Sequence, residues 1–106
     1  MIKRKIRRLT GNYDEWLINS LKNKKAAAAY LQVALQEYQK DGDLKAFLLA
    51  LRHVAEAQGG LGKLSQKTHL NRVSLYKTLS NKGNPKLQTI GILLKGLGFE
   101  FIIKES

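Results

Sequence analysis

A chain of 106 residues with no cysteine, one proline and a net charge of +11 is long enough for one hydrophobic core, and it excludes a disulfide scaffold and thiol chemistry. No apolar run reaches membrane-spanning length, and the basic N-terminus is not followed by the apolar segment of a secretory signal, so a cytoplasmic protein without a membrane partner is expected. The basic balance, with a pI near 10.1, calls for a polyanionic partner, nucleic acid before membrane.

Residues 1–12 carry Lys3, Arg4, Lys5, Arg7 and Arg8 with no acid and are expected to form a basic flexible arm. Such an arm either follows phosphates or a minor groove, or serves as a solubilising tail with no defined partner. Residues 13–42 read as an N-terminal helical extension. Its first helix starts at Tyr13, with Asp14 and Glu15 near the positive end and Trp16, Leu17 and Leu21 as the buried side. Lys22-Asn23-Lys24-Lys25 is a polar break. Ala27, Tyr30, Leu31, Ala34, Leu35 and Tyr38 then recur at three and four residues, a helical stripe that belongs to a core. Tyr30 and Tyr38 have the alternative role of contact points for a protein partner.

Residues 43–98 read as a second unit. Asp41-Gly42-Asp43 is a turn followed by a cap, after which Leu44, Phe47, Leu48, Leu51, Val54 and Ala55 mark the most regular helix, ending at Gly59-Gly60. His53 is surface or core, and a lone His without Cys or paired carboxylates is a poor metal ligand. Leu61 to Lys67 predicts a short helix, Thr68-His69-Leu70 a turn, and Asn71 to Ser80 a second helix capped by Asn71, with Leu70 and Leu75 stapling its start. Leu75 and Leu79 share the face that points into a core. Val73, Tyr76, Lys77 and Ser80 lie on or near the other side, flanked by Arg72 and Ser74.

That division predicts a helix-turn-helix with a recognition helix; an ordinary amphipathic surface helix is the alternative. The surroundings favour nucleic acid, because no Asp or Glu occurs between Glu56 and Glu100 while Lys63, Lys67, Arg72, Lys77, Lys82, Lys86 and Lys95 do. Asn71, Arg72, Ser74 and Lys77 are the expected contacts to base edges, Arg72 by a bidentate guanine contact. Tyr76 is assigned to a phosphate or a thymine methyl, and Lys63, Lys67, Lys82 and Lys86 to phosphates.

Asn81 to Pro85 is a loop by composition, and Pro85 suits the start of a last helix whose core face is Leu87, Ile90, Leu93, Leu94 and Leu97. Gly98 sits where a left-handed stop is expected, and Gly91 and Gly96 suggest close packing. Residues 99–106 predict a short C-terminal β-strand and tail, with Phe99, Phe101 and Ile103 on one side. A lone strand needs a partner, expected across a dimer or on another protein.

The segments Ala27-Ala28-Ala29-Tyr30-Leu31, Gly42 to Arg52, Val54 to Gly60, Leu70-Asn71-Arg72, Ser74-Leu75-Tyr76-Lys77 and Gly83-Asn84-Pro85 resemble the addiction-module antidote family, over roughly residues 13 to 103 in the same order. These are Xre-like DNA-binding proteins often encoded beside a RelE-type toxin. The resemblance implies an all-α, lambda-repressor-like helix-turn-helix domain and a homodimeric repressor bound to a double-stranded DNA operator. In toxin-linked members it also implies a protein that neutralises its toxin. It places Ser65 where a small residue lets the two helices cross, His69 in the turn and Leu75 in the core. His69 departs from the usual Gly at a position that often needs positive φ, and Val73 replaces a residue that is typically acidic. The Lys22 to Lys25 cluster is more basic than usual.

Two functions follow as expectations. The first is a sequence-specific autorepressor of a toxin-antitoxin module. The second is direct protein-protein inhibition of a RelE-type ribonuclease toxin, for which Glu37, Asp41 and Asp43 are the local acidic cluster, although a turn and a cap also explain them. No enzyme, cofactor or metal is expected: His53 and His69 lack a cysteine, a serine triad or carboxylates at ligand spacing, and the glycines form no phosphate-cradling loop. Non-specific RNA binding is disfavoured because the aromatics fall at core spacing.

Overall fold

The computed structural model describes residues 11–106, with side chains from Asp14 onward. Of the basic arm expected over residues 1–12, residues 1–10 therefore lie outside the described region. Among these residues six helices follow in order: α1 (Gly11–Ser20), α2 (Lys24–Asp41), α3 (Leu44–Ala57), α4 (Gly60–Thr68), α5 (Arg72–Thr78) and α6 (Leu87–Gly96). Among the described residues the fold is all-α.

The apolar repeat of α3 makes it the centre. It buries Phe47, Leu48, Ala50, Leu51, Val54, Ala55 and Ala57, and α1, α2 and α4 all pack on it. Each fully buried leucine contributes roughly 1.5–3 kcal/mol relative to an exposed one. The turn that launches α3 also closes α2: Gly42, at φ 72°, donates its N–H to the Tyr38 carbonyl, and the Asp43 side chain accepts from the Lys45 N–H. α4 in turn packs against α5 and α6. Leu61, Leu64, Leu75, Leu79, Ile90, Leu93, Leu94 and Leu97 extend the same core under those three helices.

Two side-chain ties join distant segments. Lys24 Nζ donates to the Leu97 carbonyl and lies 5.0 Å from the centre of the Phe99 ring, so the first residue of α2 stops the C-terminal end of α6, where a cation is favoured. Gln58 Nε2 donates to the carbonyls of Leu21 and Lys22, at 2.7 and 3.1 Å, and fastens the end of α1 to the end of α3. The close packing expected at Gly96 is present, since a Cβ there would sit 2.6 Å from Thr68 Cγ2 on α4. Gly98 takes the expected left-handed turn, with φ 89°.

Five expectations need correction. α1 begins at Gly11 rather than Tyr13, within the range over which helix ends vary. Trp16 is 65% exposed, whereas Leu17 and Leu21 are buried, because α1 lies mainly against α3 and the narrow stripe it covers leaves Trp16 to one side. Pro85 precedes α6 without entering it: Lys86 is the extended N-cap residue, at ψ 160°, and Leu87 is the first helical residue. Leu87, expected on the core face of that helix, is 71% exposed, because the core meets α6 only from Ile90 onward. No strand forms over residues 99–106 or elsewhere among the described residues. Phe99 is half-buried on the core, but Ile103 is 98% exposed, so the two sides of the expected strand are not separated. The physical reason is the one that made a partner necessary: the described residues offer no second strand for residues 99–104 to pair with.

Candidate nucleic-acid interface

The two short helices expected on either side of a tight turn are both formed, as α4 and α5, and His69, Leu70 and Asn71 alone separate them. His69 ends α4 in the left-handed region, φ 61° and ψ 20°, with its N–H on the Ser65 carbonyl. Ser65 Oγ donates to the Leu70 carbonyl, and the Thr68 hydroxyl accepts from the Leu70 N–H at 3.3 Å. Ser65 thus ties α4 to the segment that leads into α5.

Asn71 caps α5. Its Oδ1 accepts from the N–H groups of Val73 and Ser74, at 2.8 and 3.1 Å. The bidentate reading of adenine by Asn uses both its oxygen and its amide, so this oxygen is withheld from bases while the cap is intact. Leu75 and Leu79 are buried and dock the helix, whereas Arg72, Val73, Ser74, Tyr76 and Lys77 are exposed around the remaining surface. Val73, at 63% exposure, presents an apolar methyl pair beside the basic residues.

Arg72 and Tyr76 are not independent. The Arg72 guanidinium carbon lies 5.9 Å from the centre of the Tyr76 ring and 3.7 Å from the point a Cβ on Gly62 would occupy. The guanidinium carbon of Arg52, from α3, lies 5.5 Å from the same ring centre, and Arg52 Nε is 3.6 Å from Glu56 Oε2. Arg52, Glu56 and Gly62 escaped the sequence reading. The i,i+4 spacing of Arg52 and Glu56 signals their pair, but nothing in the sequence signals its position beneath Tyr76.

The expected phosphate contacts divide into two groups. Lys82 and Lys86 are exposed in the loop that leaves α5, which folds back so tightly that a Cβ on Gly83 would collide with the Thr78 carbonyl oxygen. Lys63 and Lys67 are exposed on α4 but lie about 100° and 140° around it from Gly62, the side that meets Arg72. They line a cleft with Lys24, Gly96 and Leu97 instead. The structure therefore brings Arg72, Val73, Ser74, Tyr76 and Lys77 together, and sets Lys63 and Lys67 apart from them.

The acids proposed for a toxin surface have local partners. Asp41 Oδ1 accepts from the Asp43 N–H, Asp43 caps α3, and Glu37 lies 3.8 Å from Lys40. His53 is half-buried, with Nδ1 2.8 Å from the Tyr30 hydroxyl. Burial lowers its pKa from the ordinary value and Arg52 adds to the effect, against the opposing charges of Glu56 and Asp14. Among the described residues, no group of His, Asp and Glu is placed to hold a metal ion, and no helix is long and apolar enough to cross a membrane.

These features define a small protein, all-helical over the described residues, whose acid-free stretch between Glu56 and Glu100 exposes a basic helix on a leucine core. The chain belongs to the family described as "Probable addiction module antidote protein", whose model matches residues 12–105. It is also similar to an uncharacterized protein of Haemophilus influenzae, 29% identical over 76 residues that cover 72% of this chain and 77% of the relative. No solved structure matches the chain significantly.

Proposed function

We propose that this antidote-family protein is a cytoplasmic, non-enzymatic antitoxin that acts as a sequence-specific DNA-binding autorepressor of its own toxin-antitoxin module. In this reading α4 and α5 are a lambda-repressor-like helix-turn-helix and α5 enters the major groove. The observation that carries it is the division of α5: Leu75 and Leu79 are buried while Arg72, Val73, Ser74 and Lys77 are exposed, in a stretch with no acid between Glu56 and Glu100. Arg72 reads guanine, Val73 packs on a thymine methyl, and Lys77, Lys82 and Lys86 neutralise phosphates. Asn71 serves as the cap that sets the helix. A homodimer places two such helices about 34 Å apart on one face of the duplex. The exposed apolar residues Phe101, Ile102 and Ile103 supply a surface for that second copy.

The test is binding to DNA upstream of the protein's own gene, for wild type and Arg72→Ala, with competitor DNA at two salt concentrations. Binding that resists competitor in the wild type and loses its base preference in the mutant is expected. Equal removal of both proteins by competitor would reduce α5 to a cationic surface.

A second reading, direct inhibition of a RelE-type toxin, is favoured by one observation: Trp16 and Val33 are exposed on the N-terminal helices, which the proposed DNA surface leaves uncovered. Both activities fit one chain. A Trp16→Ala variant that binds DNA normally but fails to protect cells from the co-encoded toxin would establish the division.

A further inference from the structure

The helix proposed to read DNA is seven residues long, too short to hold a long side chain by its own regularity. Arg72 nevertheless has a defined setting. It stands four residues before Tyr76, so the two share a face, and its guanidinium carbon lies 5.9 Å from the ring centre. The same guanidinium carbon lies 3.7 Å from the point that a Cβ on Gly62 of α4 would occupy, so the glycine leaves it room. Tyr76 is itself placed from below, by Arg52 of α3 at 5.5 Å, and Arg52 is held by Glu56 at 3.6 Å. Both guanidinium groups are inside the reach of about 6 Å over which a ring face attracts a cation. Among the described residues no carboxylate is within ion-pair range of Arg72.

We infer that Tyr76 is a positioning residue that sets Arg72 for base reading, with the Arg52–Glu56 pair on the central helix fixing the ring; the inference rests on the DNA-binding reading above. A guanidinium drawn to a ring by its face keeps its N–H donors for a base edge. The side chain then has less freedom to lose on binding, and the gain falls on the one base pair Arg72 contacts. Glu56 completes the arrangement by offsetting the charge of Arg52, so that two cations share one ring. This role replaces the direct phosphate or thymine contact expected for Tyr76, and it ties the identity of an α5 residue to a pair on α3.

The probes are the upstream DNA fragment and its single-base variants, with wild type, Arg72→Ala, Tyr76→Phe and Tyr76→Leu. Tyr76→Leu is expected to lower discrimination about tenfold at the base pair that Arg72→Ala affects, leaving the other positions and the salt dependence unchanged. Tyr76→Phe keeps the ring and is expected to keep the discrimination. In the free protein, NMR should show ring-current shifts of the Arg72 side-chain protons in wild type and Tyr76→Phe and their loss in Tyr76→Leu. Wild-type discrimination in Tyr76→Leu, a uniform loss at every position with a shallower salt dependence, or unshifted Arg72 protons in the wild type would each overturn the positioning role. If the wild type itself prefers no sequence, the DNA-binding reading falls and takes this inference with it. Preference lost in Arg72→Ala but kept in Tyr76→Leu removes the inference alone.

Discussion

α3 and α5 are helices of one core held in place by different means. α3 buries seven side chains and is contacted by α1, α2 and α4, so its position follows from its own apolar face. α5 buries Leu75 alone within its seven residues, with Leu79 at its end. An isolated helix of that length is unstable in water, where about 12–15 residues are needed even for favourable sequences. Its geometry comes from its borders: the Asn71 cap, the Ser65 to Leu70 hydrogen bond and the left-handed His69. The contrast shows how a small protein frees a helix surface for contact. A helix fixed by its ends and two leucines leaves most of its side chains uncommitted, whereas a helix fixed by burial does not.

The largest effect that tests the contrast is in α3. Leu51→Ala removes a fully buried side chain and should cost about 2–5 kcal/mol in chemical denaturation. The folded fraction that remains should keep its contact properties. A loss no greater than that of an exposed residue such as Leu49→Ala would contradict the central role of α3.

A smaller and more local effect is expected at the border of α5. Asn71→Ala leaves the Val73 and Ser74 N–H groups without their cap and should cost roughly 1 kcal/mol of global stability. Hydrogen exchange should rise first within α5 and leave α3 protected; equal acceleration in both helices would mean that α5 is not a separately held element.

At His69 the expected sign is reversed. A non-glycine residue at φ 61° carries backbone strain, so His69→Gly should stabilise the fold by roughly 0.5–1 kcal/mol, part of the strain relief being offset by the freer unfolded chain. A melting temperature below that of the wild type would show that the His69 side chain makes a compensating contribution.

The smallest expected effect concerns pH and α3 again. The folded pKa of His53 is lowered from 6.5, chiefly by burial, so as pH falls the unfolded chain takes up this proton before the folded one. The contribution of His53 is therefore complete above about 6.5 and is lost as pH falls from there through the lowered folded value. His53→Gln should flatten that part of the stability profile. An unchanged slope would assign the pH dependence to other groups.

Much of this protein was decided by the sequence alone, through signals that act over a few residues. The periodic leucines of α3 and, Leu87 excepted, of α6, the Asp41-Gly42-Asp43 turn and the Asn71 cap are local, and they set the existence of the helices and their buried faces. The exposed basic residues of α5 were legible for the same reason, since one turn of helix settles which side faces away from Leu75 and Leu79. Tertiary structure alone decided what depends on elements far apart in the chain. Trp16 looked apolar enough for a core, yet α1 meets too little of the fold to cover it. Lys63 and Lys67 belong by composition with Arg72, but the rotation of α4 turns them toward Gly96 and Lys24. Lys24 stops a helix 73 residues away from it, and Arg52 reaches Tyr76 across the junction of α3 and α5. Residues 99–104 have the alternation of a strand without the structure of one, because a strand is completed only by another strand, and alternation says nothing about where that partner is.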